Sequence, residues 1–572
     1  MTTEPASAND FRYRTRRLRP ADSIRLLMLG SRIRQLASET AVYGVSSVFG
    51  RLINFALVPF YTNVLPVDHY GVVILVYTAF VFLNILYTYG MESSYLRYAS
   101  GKEGRANIKP AFSSAIWSLI ATAIVISLLL LVFRKQTAWL IGIQDNWLDL
   151  LYFAVLIMTL DALAVIPLAE LRLANRPWRF ATARLLQIAI NVILNLYLIL
   201  VAHLGVRAIF IANLAASGSV LLFLIPEFVK YLRFSFDTDL WKGLVKFGMP
   251  FVPGGLAYAL SERVSLFFLS KMTKDQVLGL YGGSLDTASL AKQAQGAADA
   301  VRASLGNLPP DQLVHQLALA ENQVYGQYVV SVFGTAYKLA IFMMLISQMF
   351  RYAWQPFFLN RAEDPDAKDL FSRIFTLFTA VGLFVFLTIS FFSSELVAIP
   401  LPGGRYLIPQ AYWLGLGIVP IALLAYVFQG WYYNFSVGIY LHKKTRYLIH
   451  STVAGGVVSL ILTAVLVPRI GMLGAALATL ASFATMALTL LFFSHREYPI
   501  PYEWRRIGGL ALAAGVPFAA WSLIPGLEVW WAELILLAVF TIGLRLVVGK
   551  DGAAGTFVEA ALPDGHTPPD PV

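Results

Sequence analysis

The sequence predicts an all-α polytopic membrane protein with about fourteen transmembrane helices, arranged as two pseudo-symmetric six-helix lobes plus two C-terminal helices. Three observations predict this fold class: the composition, the recurrence of long apolar stretches, and the uneven distribution of lysine and arginine. Of the 572 residues, 58% are hydrophobic and only 13% are charged, whereas a soluble protein carries about 25% charged residues. A chain with so little charge cannot cover a soluble surface and must lie largely in lipid.

Long apolar stretches recur along almost the whole chain. A helix needs about 20 predominantly apolar residues to cross a bilayer. Fourteen stretches meet this requirement: 39–65, 70–90, 111–133, 148–171, 181–202, 205–227, 244–271, 327–357, 369–396, 408–440, 447–468, 470–494, 507–524 and 528–548. Because the number is even, both termini are expected on the same side of the membrane.

Lysine and arginine alternate in density from one connecting segment to the next. The segments on the side of the N-terminus hold 32 of these residues, and the opposite loops hold nine. Cytoplasmic loops carry the excess of basic residues, so both termini are predicted to be cytoplasmic. The bias also accounts for the net charge of +11 without a nucleic-acid partner.

A weak internal repeat divides the chain into two halves. Small and apolar positions of "GVRAIFIANLA" (205–215) recur in "GMLGAALATLA" (471–481) at a constant offset of 266 residues. Both halves begin on the same side, so the repeat is parallel, about an axis along the membrane normal. The predicted organisation is a basic cytoplasmic arm (1–38), an N-lobe (39–227), a cytoplasmic linker (228–243), a C-lobe (244–494), two further helices (495–548) and a disordered cytoplasmic tail (549–572).

When the basic residues counted with the connecting segments are set aside, three remain inside the predicted spans: Arg51, Arg263 and Lys338. A charged side chain at the centre of a bilayer costs about 2.5–3.5 kcal/mol on insertion scales. Only one acid, Glu262, lies beside them in the sequence, so positive charge is in excess and a cavity that receives an anion is expected. The alternative is that these residues hold helices together, with Glu262 pairing one of the cations.

Other polar residues follow helical spacing within the spans. Asn54 lies on the first span, and Gln187 and Asn191 form a stripe on the fifth. Such stripes line a protein interior or an aqueous cavity, because they cannot face hydrocarbon cheaply. Asp161 on the fourth span is a candidate partner for a cation or a proton carrier. Packing between helices is the alternative role for the amide residues.

Motifs of soluble enzymes are scarce in the sequence. Cysteine is absent, which excludes thiolate metal sites and Cys nucleophiles. The chain has neither a Gly-rich phosphate loop with a lysine nor an H-E-x-x-H motif. The acidic pairs "DTD" (237–239) and "DPD" (364–366) are isolated matches in short loops. We therefore expect no enzyme activity, no cofactor and no metal site.

Six stretches give the chain a family resemblance, and together they cover the first twelve spans. They are "LVPFYTNVLPVDHYG" (57–71), "GMESSYLRYAS" (90–100), "LVKFGMPFVPGGLAY" (244–258), "DQVLGLY" (275–281), "AYKLA" with "QPFF" (336–340, 355–358) and "LVPRIGMLGAALATL" (466–480). With them the chain resembles the polysaccharide-unit flippases, which transport O-antigen and exopolysaccharide units, of the multidrug/oligosaccharidyl-lipid/polysaccharide exporter superfamily.

The resemblance implies two helical lobes around a cavity that opens alternately to each side of the bacterial cytoplasmic (inner) membrane. The implied substrate is an undecaprenyl-diphosphate-linked oligosaccharide. Arg51, Arg263 and Lys338 would neutralise its diphosphate, while its polyprenyl tail stays among the membrane lipids. Polysaccharide polymerase or assembly proteins are possible partners.

The chain departs from the family pattern between "GLY" and "AYKLA", where about 40 residues are inserted. Leu290, Ala294, Ala297 and Val301 follow helical spacing, and a second helical pattern comes after "NLPPD". The pattern predicts an external helical hairpin over 284–326. It is either a tolerated insertion or a lid or docking site for a partner.

Three alternative functions remain open from the sequence. Within the same superfamily they are a peptidoglycan-precursor flippase and a cation-coupled drug exporter. From another class, a membrane-bound glycan polymerase or ligase would act on the same lipids. Such enzymes usually need a sizeable external domain with catalytic residues, and the inserted segment is rich in Ala, Gln and Leu instead.

Overall fold

The computed structural model describes residues 50–53, 55–100, 104, 107–305 and 309–548. In this part of the chain ten helices are long and apolar enough to cross a membrane, and a bent helix pair supplies an eleventh span. One of the ten, Arg446–Glu497, contains two spans joined at Gly471. Helical residues 50–64, of which 54 is not described, and helix Phe251–Leu269 complete the predicted fourteen. The predicted arm, tail and Asn54 lie outside the described residues.

The spans are numbered here in chain order. They are residues 50–64, Val67–Thr88, Ile108–Val132, Asp149–Leu173, Pro177–Leu200, Val206–Phe223, Phe251–Leu269, the pair Pro310–Leu339 and Ile341–Arg361, Ala367–Phe391, Gln410–Leu441, the two parts of Arg446–Glu497, Trp504–Leu523 and Trp530–Val548. The only strands of the described chain, Pro400–Leu401 and Arg405–Tyr406, form a small antiparallel hairpin.

Two glycines adopt the same unusual backbone conformation at equivalent positions of the two lobes. Gly205, before span six, has φ 54° and ψ −131°, and Gly471, before span twelve, has φ 57° and ψ −128°. Only glycine adopts this region readily, because it has no Cβ. The pair is separated by the repeat offset of 266 residues, so the backbone supports the internal symmetry predicted from the sequence.

Replacing these glycines by alanine should destabilise the protein unequally. Both alanines would be strained by about 1–3 kcal/mol, because the backbone conformation is unfavourable to a side chain. A Cβ at Gly205 would meet nothing within 4 Å, but one at Gly471 would overlap the Tyr281 hydroxyl, which accepts a hydrogen bond from Met472 N at 2.7 Å. Thermal unfolding in detergent should therefore show a larger loss of stability for Gly471→Ala than for Gly205→Ala. Equal losses would contradict the proposed overlap with Tyr281.

Span eight consists of two helices with a bend between them, and the inserted segment is continuous with the first of these helices. Helix Pro310–Leu339 is bent by 51° from Ile341–Arg361, whereas the sequence predicts one span over 327–357. Helix Thr287–Leu305 is the first arm of the predicted hairpin, and the second arm is the N-terminal part of Pro310–Leu339 rather than a separate helix. Lys274 Nζ bonds Glu321 Oε1 at 2.7 Å, and this hydrogen bond raises the pKa of Lys274.

The acidic pairs in the short loops have structural contacts. Asp237 begins helix Thr238–Gly248 and accepts hydrogen bonds from the backbone N–H groups of Asp239 and Leu240. Such caps are preferred at helix N-termini because they satisfy free backbone donors. Asp364 lies 3.9 Å from the Arg361 guanidinium at the end of span eight. Neither pair requires a catalytic role.

The two ends of the bundle are called here the basic face and the opposite face. The basic face carries helices Met91–Tyr98 and Thr238–Gly248, and the opposite face carries Arg134–Ile141, Lys274–Tyr281 and the strand hairpin. The positive charge bias predicts that the basic face is cytoplasmic.

The lobes are packed tightly together at the opposite face. Asn63 of the N-lobe donates to the backbone oxygens of Tyr406 and Leu407, both at 3.1 Å. Gln327 of the C-lobe donates to Gly142 O at 3.1 Å. Gly71 lies so close to the Gln327 backbone that an added Cβ would overlap its oxygen. We call these contacts the seam, and they hold the two lobes together on this side.

Candidate substrate cavity

Four adjoining pockets lie between and within the lobes. The C-lobe pocket (about 630 Å³) contains Tyr258 and Arg351, and the N-lobe pocket (about 500 Å³) contains Gln187 and Asn191. A central pocket of about 180 Å³ lies at Phe333 and Tyr337. The Arg184 pocket, of about 490 Å³, is lined by Glu92, Arg172 and Arg184. The four pockets share lining residues, and we refer to them together as the cavity.

Arg263 lies where three of these pockets meet. Its side chain lines the C-lobe, N-lobe and central pockets. Arg263 Nη2 is 3.2 Å from Glu262 Oε1, with 32% of the Arg263 side chain and 12% of the Glu262 side chain exposed. Tyr426 also donates to Glu262 Oε1, at 3.2 Å. Glu262 is therefore more buried than Arg263, and part of the Arg263 guanidinium is exposed to the cavity.

Lys338 and Arg51 also face the cavity. Lys338 Nζ bonds the Tyr70 hydroxyl at 2.6 Å and lines the N-lobe and central pockets. Arg51 Nη1 lies 3.7 Å from Met344 Sδ and lines the C-lobe and Arg184 pockets. Neither residue forms an ion pair with a carboxylate in the described part of the chain. The structure thus places the three predicted cations in the lining of these adjoining pockets.

The predicted amide stripe on span five faces the same cavity. Gln187 and Asn191 line the N-lobe pocket, and Gln187 also reaches the Arg184 pocket. Arg184 Nη1 donates to Gln187 Oε1 at 3.0 Å. Further along the stripe, Asn195 is buried and donates to Asn191 O at 2.8 Å. The stripe therefore combines a cavity-lining part with a packed part.

Asp161 lies within the N-lobe, apart from the three predicted cations. It interacts electrostatically with Arg184 and Tyr77, and it does not line any of the four pockets. Asp161 is thus placed beside Arg184 rather than beside Arg263. Its role as a partner for a cation or a proton carrier remains a prediction.

Three further cations line the cavity but were not predicted as site residues from the sequence. Arg172, Arg184 and Arg351 were counted with the basic connecting segments, although Arg184 and Arg351 also fall within the ends of the predicted spans 181–202 and 327–357. All three line pockets. Arg172 is ion-paired with Glu92. Arg184 could have been found, because it continues the helical stripe of Gln187 and Asn191 by one turn. Arg351 could have been found in the same way, because Gln348 and Gln355 flank it at helical spacing and line the same pocket.

Aromatic and amide side chains dominate the C-lobe pocket. Tyr258, Tyr432, Tyr433 and Tyr440 contribute rings and hydroxyls, and Gln348 and Gln355 contribute amides. Gln429 donates a hydrogen bond to the Tyr258 hydroxyl. This lining can stack on flat apolar surfaces and bond hydroxyl groups at the same time, as tyrosine and tryptophan do at interfaces with one wet side. In the described residues no three side chains form a metal-ligating cluster.

Comparison with known families agrees with this geometry. Residues 63–298 match the family whose model is described as polysaccharide biosynthesis protein. The predicted family resemblance is confirmed. No curated protein shows significant sequence similarity to the chain.

Solved structures show the same fold. The chain is similar to a lipid II flippase MurJ in an inward closed conformation, with a TM-score of 0.63, 14% identity, and coverage of 88% of this chain and 97% of that one. It is also similar to an inward-facing multidrug resistance MATE family transporter of the MOP superfamily, with a TM-score of 0.52, 12% identity, and coverage of 78% and 94%. The chain is a multi-pass membrane protein with the fold of this transporter superfamily.

Proposed function

We propose that the protein translocates an undecaprenyl-diphosphate-linked oligosaccharide across the bacterial cytoplasmic membrane by alternating access, for cell-surface polysaccharide synthesis. The observation that carries the proposal is the cationic cavity between two lobes that contact each other through the seam at the opposite face. Both termini and the basic face are cytoplasmic in this proposal, so the structure corresponds to the state that receives substrate from inside.

Arg263 is the central diphosphate-binding residue in this mechanism, assisted by Arg51 and Lys338. A guanidinium can make two parallel hydrogen bonds to a phosphate, whereas a lysine acts as a point charge. Glu262 orients Arg263 or carries a coupling proton, and Asp161 is a second candidate for coupling. Gln187 and Asn191 bond sugar hydroxyls, and the polyprenyl tail remains among the membrane lipids.

The sign of the cavity charge separates this function from drug export. Six cations and two carboxylates line the four pockets, and an excess of like charge disfavours a cationic drug. A peptidoglycan precursor would offer the same lipid diphosphate, and the fold similarity to MurJ supports that candidate. The match to a polysaccharide biosynthesis family favours an oligosaccharide unit. A polymerase or ligase would need a catalytic constellation, and we assign none among the described residues that line the four pockets.

Ligand binding to the purified protein tests the proposed substrate class. We expect a farnesyl-diphosphate-linked disaccharide to bind more tightly than the monophosphate analogue, because the second phosphate engages a further cation. Tetraphenylphosphonium, a model cationic drug, should not compete. Binding of tetraphenylphosphonium in preference to the diphosphate would contradict the proposal, and equal binding of a lipid-linked disaccharide and a peptide-bearing peptidoglycan precursor would favour the alternative flippase.

A further inference from the structure

A groove at the basic face lies apart from the cavity. It is lined by residues between 488 and 496, at the end of span twelve, and by Tyr502 and Trp504, and its volume is about 530 Å³. It shares no lining residue with the four pockets of the cavity. A substrate held in the cavity therefore does not account for it. We call it the outer groove.

The outer groove exists because span thirteen packs away from span twelve, although the two are consecutive in the chain. The main contacts of span thirteen are with spans nine and fourteen. The connecting segment is held on span nine, where Ser372 Oγ donates to Pro501 O at 2.7 Å. Thr376 Oγ1 donates to Glu503 Oε2, also at 2.7 Å. The end of span twelve therefore keeps a face open to the membrane.

This face changes from apolar to basic along its length. Leu488, Phe492 and Arg496 are spaced four residues apart, so they lie above one another on one side of the helix. Leu488 and Phe492 are 54% and 52% exposed. The helix rises about 12 Å from Leu488 to Arg496. An apolar strip inside the membrane thus leads to a cation at the basic face, which is the order of chain and headgroup in a phospholipid.

Aromatic side chains mark the membrane interface at the same end of the groove. The guanidinium carbon of Arg496 lies 4.0 Å from the centre of the Phe492 ring, and this contact holds the cation over the groove. Trp504 lines the other side and is 47% exposed. Tryptophan is enriched at the level of the lipid headgroups. Arg496 is therefore placed where the phosphate of a lipid would lie.

The acids closest to Arg496 in the sequence are engaged by other cations. Lys444 Nζ lies 2.7 Å from Glu497 Oε2, and Glu503 pairs with Arg506, so no ion pair holds Arg496 in the described part of the chain. His495, which is exposed beside it, adds a ring that can donate a hydrogen bond. The groove thus offers donors to a phosphate and no carboxylate to an ammonium group. This charge balance favours an anionic phospholipid over a zwitterionic one.

We propose that the outer groove is a binding site for an anionic phospholipid of the phosphatidylglycerol type from the leaflet at the basic face. Arg496 and His495 bind its phosphate, and one acyl chain follows Leu488 and Phe492. Basic pockets between transmembrane helices bind lipid headgroups in this way. The bound lipid fills the space between spans twelve and thirteen. The site is independent of the function proposed for the cavity.

Photocrosslinking of the purified full-length protein in phosphatidylcholine nanodiscs tests this site. The probes are phosphatidylglycerol and phosphatidylcholine, each at a low fraction and each with the same diazirine in the first half of one acyl chain. Crosslinked peptides are mapped and quantified by mass spectrometry. We expect crosslinks within residues 488–504 to be roughly fivefold more abundant with phosphatidylglycerol, because one arginine near a membrane surface contributes about this preference for an anionic lipid.

Three variants separate the site from general attraction to the basic face. Arg496→Gln should remove the preference and leave the crosslinking of phosphatidylcholine unchanged. Arg496→Lys should keep part of the preference, since the charge remains without the planar contact. Arg446→Gln is the matched control and should keep the full preference. Arg446 is exposed on the same face and lies 5.3 Å from the Tyr447 ring centre, but it does not line the groove.

Four results would overturn the site. Equal yields of the two probes with wild-type protein, a measurement that needs no variant to fold, would show that only an acyl chain is accommodated. A preference that persists in Arg496→Gln would exclude this residue as the phosphate ligand. An equal loss in Arg446→Gln would reduce the effect to the charge of the whole face. Displacement of phosphatidylglycerol by a farnesyl-diphosphate-linked disaccharide would assign the groove to the transported lipid instead.

Discussion

Arg263→Gln is expected to reduce transport of the lipid-linked oligosaccharide roughly ten- to hundredfold while the protein level stays near normal. A hydrogen bond to a charged group contributes about 1.5–3 kcal/mol, and each 1.36 kcal/mol corresponds to about tenfold in rate. Arg263 lines three of the four pockets, so its loss affects every position of a diphosphate in the centre. Arg263→Lys should recover part of the activity. Transport into proteoliposomes is the measurement.

The exposed Arg469 offers a matched control for this substitution. It lies on the opposite face and lines none of the pockets, so Arg469→Gln should leave transport unchanged. If Arg263 only holds helices together, its removal leaves Glu262 buried without its partner, and the protein should be destabilised. The double variant Glu262→Gln/Arg263→Gln would then restore abundance and transport. Full transport by the double variant would contradict the anion site.

Gly71→Ala is expected to disrupt closure of the seam and to reduce transport by a similar factor. The new methyl group would overlap the backbone oxygen of Gln327, and a backbone atom cannot move aside as a flexible side chain can. Overpacking of this kind costs about 1–3 kcal/mol, which would shift the balance away from the state closed at the opposite face by roughly five- to hundredfold.

Cysteine labelling can measure this shift directly, because the chain contains no cysteine. Thr78 lines the N-lobe pocket and is buried. In right-side-out vesicles, an impermeant maleimide should label Thr78→Cys slowly in the parent protein and faster when Gly71→Ala is added. Gly279→Ala is the control, because its Cβ would meet nothing within 4 Å. Equal labelling rates in the parent and the Gly71→Ala protein would show that the seam is not the barrier.

The helices that cross the membrane could be predicted from the sequence because lipid imposes a strict length and polarity on them. The same constraint identified Arg51, Arg263 and Lys338 as candidates, because a cation is unusual inside an apolar span. Arg184 and Arg351 were missed for the complementary reason. They lie near the ends of the predicted spans 181–202 and 327–357, where a basic residue was counted with the adjoining loop.

The bend in span eight could not be predicted either. No proline or glycine marks it at Ala340, so the break depends on tertiary packing. By contrast, the repeat around Gly205 and Gly471 was visible as a sequence match, because a backbone conformation with positive φ restricts the residue type. The sequence thus identifies positions where the structure allows only a few residue types. It does not show which way a side chain faces.

The central claim is that this protein moves a lipid-linked diphosphate oligosaccharide across a bilayer. Proteoliposomes that carry a fluorescent undecaprenyl-diphosphate disaccharide in both leaflets test it, with an impermeant quencher added outside. We expect the wild-type protein to make the inner-leaflet fraction accessible to the quencher, and Arg263→Gln to do so at least about tenfold more slowly. An inner-leaflet fraction that stays protected with wild-type protein, as it does in protein-free liposomes, would contradict the claim.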